Sequence, residues 1–216
     1  MKKIASPLFQ DLSEAELDTL AAAGHLRTRQ FAKHEVIFRA GSCVREIGIV
    51  LRGSVHIENL DLWGTKSILS SVGAGQAFAE TYAFCGEALM VDAVAAEHCE
   101  ILFLHTAAFT DARIEPALQD KLLRRLLAVS MRKNLSLSQR IFCTTPKTVR
   151  GRLLTYFSAQ AARCGRMEFE LPFNRQQLAD YLNLDRSALS KELCKMRDEG
   201  LLEFDKNRFV LKQLPE

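Results

Sequence analysis

Apolar and polar positions change rhythm four times along this chain, and each rhythm predicts a different element. Residues 12–24 repeat at helical spacing, with Leu17 and Leu20 on one face; Ser13 and Glu16 have the spacing of a capping box. From Leu26 to Leu104 the apolar residues alternate or cluster in short runs, punctuated by Gly41, Gly53, Gly64, Gly73, Gly75 and Gly86. Strands are predicted at 35–39, 47–51, 54–59, 65–70, 91–95 and 99–104. Short strands with glycine turns argue a rolled antiparallel barrel.

Residues 113–142 turn helical and carry two apolar stripes. Leu123, Leu127, Ser130, Asn134, Leu137 and Ile141 are spaced 4-3-4-3-4, the seam of a coiled coil with Asn134 as a polar register-setter. Leu118, Leu122, Leu126 and Val129 lie beside them. One stripe can pack on the barrel while the other meets a second copy of the helix. Cys143–Pro146 reads as a hinge, because Pro146 interrupts helical hydrogen bonding. A further helix over 147–163 and a strand over 167–171 follow.

The most organised stretch is Asn174–Leu202, two helices around a tight turn. Asn174 and Gln177 form a capping box; Leu178, Ala179 and Leu182 make the inner face. Asn183-Leu184-Asp185 is the break, with Leu184 as a buried plug, and Asp185 caps a second helix that Gly200 ends. Leu189, Leu193 and Met196 point inward, and the other face carries Arg186, Ser187, Ser190, Lys191, Cys194 and Lys195. A helix with a polar, basic outer stripe fits the B-DNA major groove, where a guanidinium binds guanine O6 and N7 together. Leu202–Phe204 and Phe209–Leu211 read as strands around a polar turn, completing a winged helix-turn-helix.

Charge sharpens this division. Of the 216 residues, 1–112 hold 9 Lys and Arg against 14 Asp and Glu, a net −5, whereas 113–216 hold 20 against 12, a net +8. A basic C-terminal half is what phosphate neutralisation needs. There is no run of about 18 apolar residues, as a membrane span would require, and the N-terminus is too interrupted for a signal peptide. A cytoplasmic protein without contact to membranes is expected. Six scattered cysteines, none in C-x-x-C spacing, fit reduced thiols rather than a zinc framework. No Ser-His-Asp spacing or phosphate-cradling loop calls for catalysis.

The string from His34 to Phe84 is similar to a cyclic-nucleotide-binding jelly roll, on Gly41, Gly53, Val55, Gly73, Gly75, Phe78 and Glu80. With the long helix and the winged helix-turn-helix behind it, the whole chain resembles the cyclic-AMP receptor protein/Fnr family of bacterial transcription regulators. The resemblance implies an α+β protein. An effector-binding β-roll covers 1–112, a dimerisation helix 113–142 and a DNA-binding domain 147–216. It implies a homodimer on double-stranded DNA, with RNA polymerase as a further partner. By the same resemblance Arg186 stands at a guanine-contacting position and Lys191 at a second basic one. Ser190 is at a small-residue position, and Asn174, Arg175 and Gln176 stand at phosphate-binding helix-start positions. Ser187 departs from the family's frequent glutamate, so the operator is expected to differ.

In the resembling effector pocket Glu80 is kept, but Ala79 precedes it in place of glycine. Leu89 and Met90 stand where an arginine-serine pair holds the cyclic phosphate. Burying that phosphate without a counter-charge is costly, so cyclic AMP is not the expected effector. No cysteine precedes Cys43, which argues against the family's iron-sulfur cluster. Five histidines leave haem open, and Cys85 or Cys99 leave a thiol switch open. Leu89, Met90, Phe84 and Tyr82 also suit a small apolar or aromatic ligand. The alternative function is a cyclic-nucleotide-binding module acting through a protein partner.

Overall fold

The computed structural model describes residues 4–60 and 66–212. Gly64, and Thr65 at the start of the fourth strand expected from sequence, lie outside the described residues. The chain divides into two compact units, one up to Arg132 and one from Lys133 onward.

The first unit opens with α1 (Glu14–Ala22). Its capping box forms: the Glu16 amide donates to Ser13 Oγ at 3.2 Å, and the Ser13 amide donates to Glu16 Oε2 at 2.8 Å. Eight strands follow: β1 (Leu26–Phe31), β2 (Val36–Phe38), β3 (Glu46–Arg52), β4 (Val55–Leu60), β5 (Lys66–Val72), β6 (Ala77–Phe78), β7 (Asp92–Ala95) and β8 (Cys99–His105). They form two antiparallel sheets, ordered β1-β8-β3-β6 and β2-β7-β4-β5. The core of the roll holds Phe31, Phe38, Val50, Phe78, Ile101 and Phe103.

A second core covers the outside of the first sheet. There Ile47 and Ile49 of β3 and Leu102 and Leu104 of β8 meet Leu17 and Leu20 of α1. Both faces of these strands are buried, which is why they read as unbroken apolar runs rather than as alternation. The helix α3 (Pro116–Thr144) adds Leu118, Leu122 and Leu126 to that core. So three residues of the second stripe read from the sequence pack on the roll, while its Val129 is only half-buried, and Leu123 and Leu127 of the first stripe stay exposed.

Two strands went unread in the sequence. β1 buries Phe31 among four exposed residues, so it lacks an apolar rhythm. Its arginines instead lie over aromatic rings, Arg27 over Phe103 and Arg29 over Phe31 at 4.6 and 4.5 Å. β6 has only two residues, too short for any period.

The second unit contains the last turns of α3, then α4 (Val149–Cys164), β9 (Glu168–Glu170), α5 (Arg175–Leu182), α6 (Arg186–Asp198), β10 (Leu202–Asp205) and β11 (Arg208–Leu211). The three strands pair antiparallel in the order β10-β11-β9. Cys143 is fully buried in this unit's core with Leu153, Phe157, Leu178, Leu189 and Phe209. The expected hinge therefore begins inside a packed core: α3 runs on to Thr144, and only then does Pro146 break the helix.

Candidate nucleic-acid interface

The capping signals of the helix-turn-helix are satisfied. Asn174 Oδ1 accepts from the Gln177 amide and Gln177 Oε1 accepts from the Asn174 amide, both at 2.9 Å. Asn183 takes a left-handed φ of 53° and ends α5, and Asp185 Oδ1 accepts from the Ser187 and Ala188 amides at 2.8 and 2.9 Å, starting α6. Leu182, Leu189, Leu193 and Met196 are buried beneath. Leu184 departs from expectation: it is half-buried and packs at the rim of that core.

With its inner face held, α6 presents Arg186, Ser187, Lys191, Cys194 and Lys195 to solvent, with Ser190 half-buried. The Ser187 hydroxyl donates to Asp185 Oδ1, which pulls that carboxyl below its ordinary pKa, the two capping amides adding to the effect. Ser187 therefore has its proton engaged within the protein and offers outward only acceptor lone pairs.

Arg175 is more than a solvated helix-start residue. Its guanidinium lies 4.9 Å from the ring centroids of both Phe204 and Phe209 on the wing, and burial lowers its pKa. Gln176 Nε2 donates to Asp180 Oδ1 at 2.8 Å. Asn174, Arg175, Gln176 and Arg186 line one groove of about 490 Å³ together with Lys206 and Asn207 at the wing tip. Lys206 and Asn207 were legible in the sequence only as a polar turn. What brings them here is the β10–β11 hairpin, with Lys206 at a positive φ of 50°. A second groove of about 710 Å³ runs along α6, lined by Lys191, Cys194 and Lys195 and by Val149 at the start of α4.

Three arginines brace this scaffold. Arg150 bonds Glu192 at 2.6 Å and Glu199 at 2.8 Å, pinning α4 to α6. Arg152 Nη1 donates to the carbonyls of Leu182 and Asn183 at 3.1 and 2.7 Å. Arg140, from the end of α3, donates to the carbonyls of Tyr181 and Asp180, both at 3.0 Å. Carbonyls at a helix end have no partner within the helix, and cations suit the negative end of its dipole.

The other expected site residues lie elsewhere. On α3, Leu123, Leu127, Asn134, Leu137 and Ile141 are all exposed, Leu127 at 57%. In the first unit, Glu80 begins α2 (Glu80–Cys85) and is 5% exposed, and Ala79 before it adopts a left-handed φ of 61°. Leu89 belongs to the core of the roll, while Met90 is 76% exposed, so these neighbours face different surroundings. Of the cysteines considered for a switch, Cys85 is exposed; Cys99 is buried and its thiol donates to the Ser54 and Glu97 carbonyls. Among the histidines, His25 is buried with Nε2 2.7 Å from Asp111 Oδ2.

Comparison with known proteins places this arrangement. A cyclic nucleotide-binding domain model matches residues 28–113, and a Crp-like helix-turn-helix domain model matches residues 151–216. No curated protein matches. Among solved structures, the catabolite activator protein of Thermus thermophilus is 25% identical, with 96% of this chain and 94% of that one covered and a TM-score of 0.50. FixK2 of Bradyrhizobium japonicum is 19% identical over 87% and 93%, with a TM-score of 0.51. CprK, in its complex with OCPA, is 13% identical over 91% and 92%, with a TM-score of 0.65. The last two are likenesses of fold. The two domain models, in the order roll then winged helix-turn-helix, carry the assignment: the chain belongs to the Crp/Fnr family of DNA-binding transcription regulators.

Proposed function

We propose that the chain is a homodimeric, sequence-specific DNA-binding regulator that reads the major groove with α6 and answers to an effector received in the β-roll. The observation that carries this reading is the groove at the start of α5. Arg175, Arg186 and Lys206, from two helices and the wing, converge there on two helix N-termini. Backbone amides at helix starts together with cations suit a phosphate backbone. Asn174, Arg175 and Gln176, with Lys206 and Asn207, position the duplex on its phosphates. Arg186 and Lys191 reach base edges, and Ser190 is small enough for close approach. Ser187, with its proton held by Asp185, accepts from a base amine.

The dimer forms along α3 through Leu123, Leu127, Asn134, Leu137 and Ile141. The effector site takes in Glu80, Leu89 and Met90 against the first half of α3. Its ligand is not cyclic AMP, because neither Leu89 nor Met90 supplies a cation. The regulator has no catalytic step and works in the cytoplasm, with RNA polymerase at the promoter as its further partner.

Fluorescence anisotropy on a pool of randomised duplexes tests the DNA-binding reading. Binding is expected to fall steeply as salt rises, because each neutralised phosphate releases condensed cations. No duplex binding at low salt would overturn this reading in favour of a module acting through a protein partner.

A further inference from the structure

The helix-turn-helix is fastened directly to the helix that carries the dimer stripe. Arg140 lies between Leu137 and Ile141 of that stripe in sequence, three residues before the buried Cys143. Its Nε donates to the Tyr181 carbonyl and its Nη2 to the Asp180 carbonyl, each at 3.0 Å, with the guanidinium 5.9 Å from the Tyr181 ring centroid. Arg152 holds the next two carbonyls, Leu182 and Asn183, and its Nε donates to the Pro146 carbonyl at 2.9 Å. Two forked cations therefore grip the end of α5 where the chain turns into α6. One comes from the dimer helix and the other from just beyond its proline break.

A forked guanidinium fixes direction as well as distance, because its N–H donors are coplanar. The break at Pro146 leaves the covalent link between α3 and α4 non-helical. The Arg140 clamp spans that break and ties α3 to the first helix of the reading pair. We infer that Arg140 is a positioning residue: it sets the orientation of α6 relative to the dimer stripe, and with it the half-site spacing that the dimer accepts. This rests on the homodimeric DNA-binding reading above.

The test uses duplexes carrying the half-site that the full-length wild type selects from a randomised pool. The two copies are placed at the selected spacing or with one or two base pairs added or removed. One base pair shifts a half-site by about 3.4 Å and turns it by about 35°. Wild type is expected to lose about tenfold or more in affinity away from its own spacing. Arg140→Met is expected to select the same half-site and sediment as the wild type does, yet bind all these spacings within about threefold of one another. Arg140→Lys keeps the charge without the fork and is expected to fall between the two; it carries the test if Arg140→Met does not fold. A variant that is merely less stable would bind every duplex more weakly and keep the wild-type spacing preference, and that result overturns the inference. Failure of wild type to select any duplex would instead sink the DNA-binding reading on which the inference rests.

Discussion

A single side chain can position a duplex, read it, or do both, and the roles proposed for Arg175 and Arg186 separate these tasks. Arg186 starts α6, exposed at the mouth of the groove. Arg186→Ala is expected to lose discrimination at one base pair per half-site, worth about 1–3 kcal/mol. Arg175→Ala is expected to weaken binding evenly across sequences and flatten the salt slope. Because its guanidinium also lies against Phe204 and Phe209, it should destabilise the winged unit by about 1 kcal/mol, read as a lower Tm. Ser187→Glu is expected to shift the selected half-site by adding a stronger acceptor for cytosine N4. A randomised-site selection on the three variants decides among these; an unchanged motif for Arg186→Ala would mean that the register assigned to α6 is wrong. The same scale governs the effector. A cyclic phosphate needs a cation; Leu89 offers an apolar side chain inside the roll and Met90 a thioether in solvent. Calorimetric titration with cyclic AMP is expected to give no micromolar binding, and tight binding would point to another arginine reaching the pocket.

Elements form where these side chains agree with backbone demands, and β3 gives the sharpest case. Gly48 pairs with Phe78 of β6, and a Cβ built on it would lie 2.3 Å from the Phe78 ring. Gly48→Ala is expected to cost about 1–3 kcal/mol through overpacking, measured by denaturant unfolding; a neutral result would show that Phe78 has another rotamer open to it. The charged cluster beside α1 is a second case. Arg113 first, then His25, hold the Asp111 carboxyl well below its ordinary value of 3.8. Between the two pKa values the unfolded chain binds a proton that the folded one refuses. The stability from Asp111 is therefore present above the ordinary carboxylate range and is lost as pH falls through and below it. Asp111→Asn is expected to flatten the acid limb of the stability–pH curve, and an unchanged limb would mean that other carboxylates dominate it. Elements with strong internal period were legible in the sequence: α1, the helix-turn-helix with both its caps, and every described strand except β1 and β6. β1, β6 and Gly48 were not, because their warrant is a tertiary neighbour rather than a period. The same holds in the site. Arg186 and Lys191 are visible as a helical stripe, whereas Lys206, Asn207 and the stacking of Arg175 exist only once the wing folds back.

At the scale of the molecule, the two stripes on one helix meet different surroundings. Leu118, Leu122 and Leu126 pack on the roll, so the exposure of Leu123, Leu127, Leu137 and Ile141 is not explained by packing within either unit. Four large apolar side chains in solvent at coiled-coil spacing would each gain about 1.5–3 kcal/mol on full burial. Part of that is offset by the translational and rotational freedom lost on association. Asn134 sits in the middle of the same seam, where a polar pair favours a parallel, in-register dimer at some expense in stability. That geometry would also suit the proposed DNA reading, in which a two-fold dimer offers two copies of α6 to successive major grooves. Placing a carboxylate at Leu127 sets two like charges across the seam and removes its most central exposed leucine. Sedimentation equilibrium at micromolar concentration is expected to give the dimer mass for wild type and the monomer mass for Leu127→Glu. The variant's duplex affinity should fall with its loss of dimer, while its far-UV circular dichroism stays that of the folded chain. A wild-type monomer at that concentration would overturn the dimer and leave Leu123 and Ile141 to be explained by another partner.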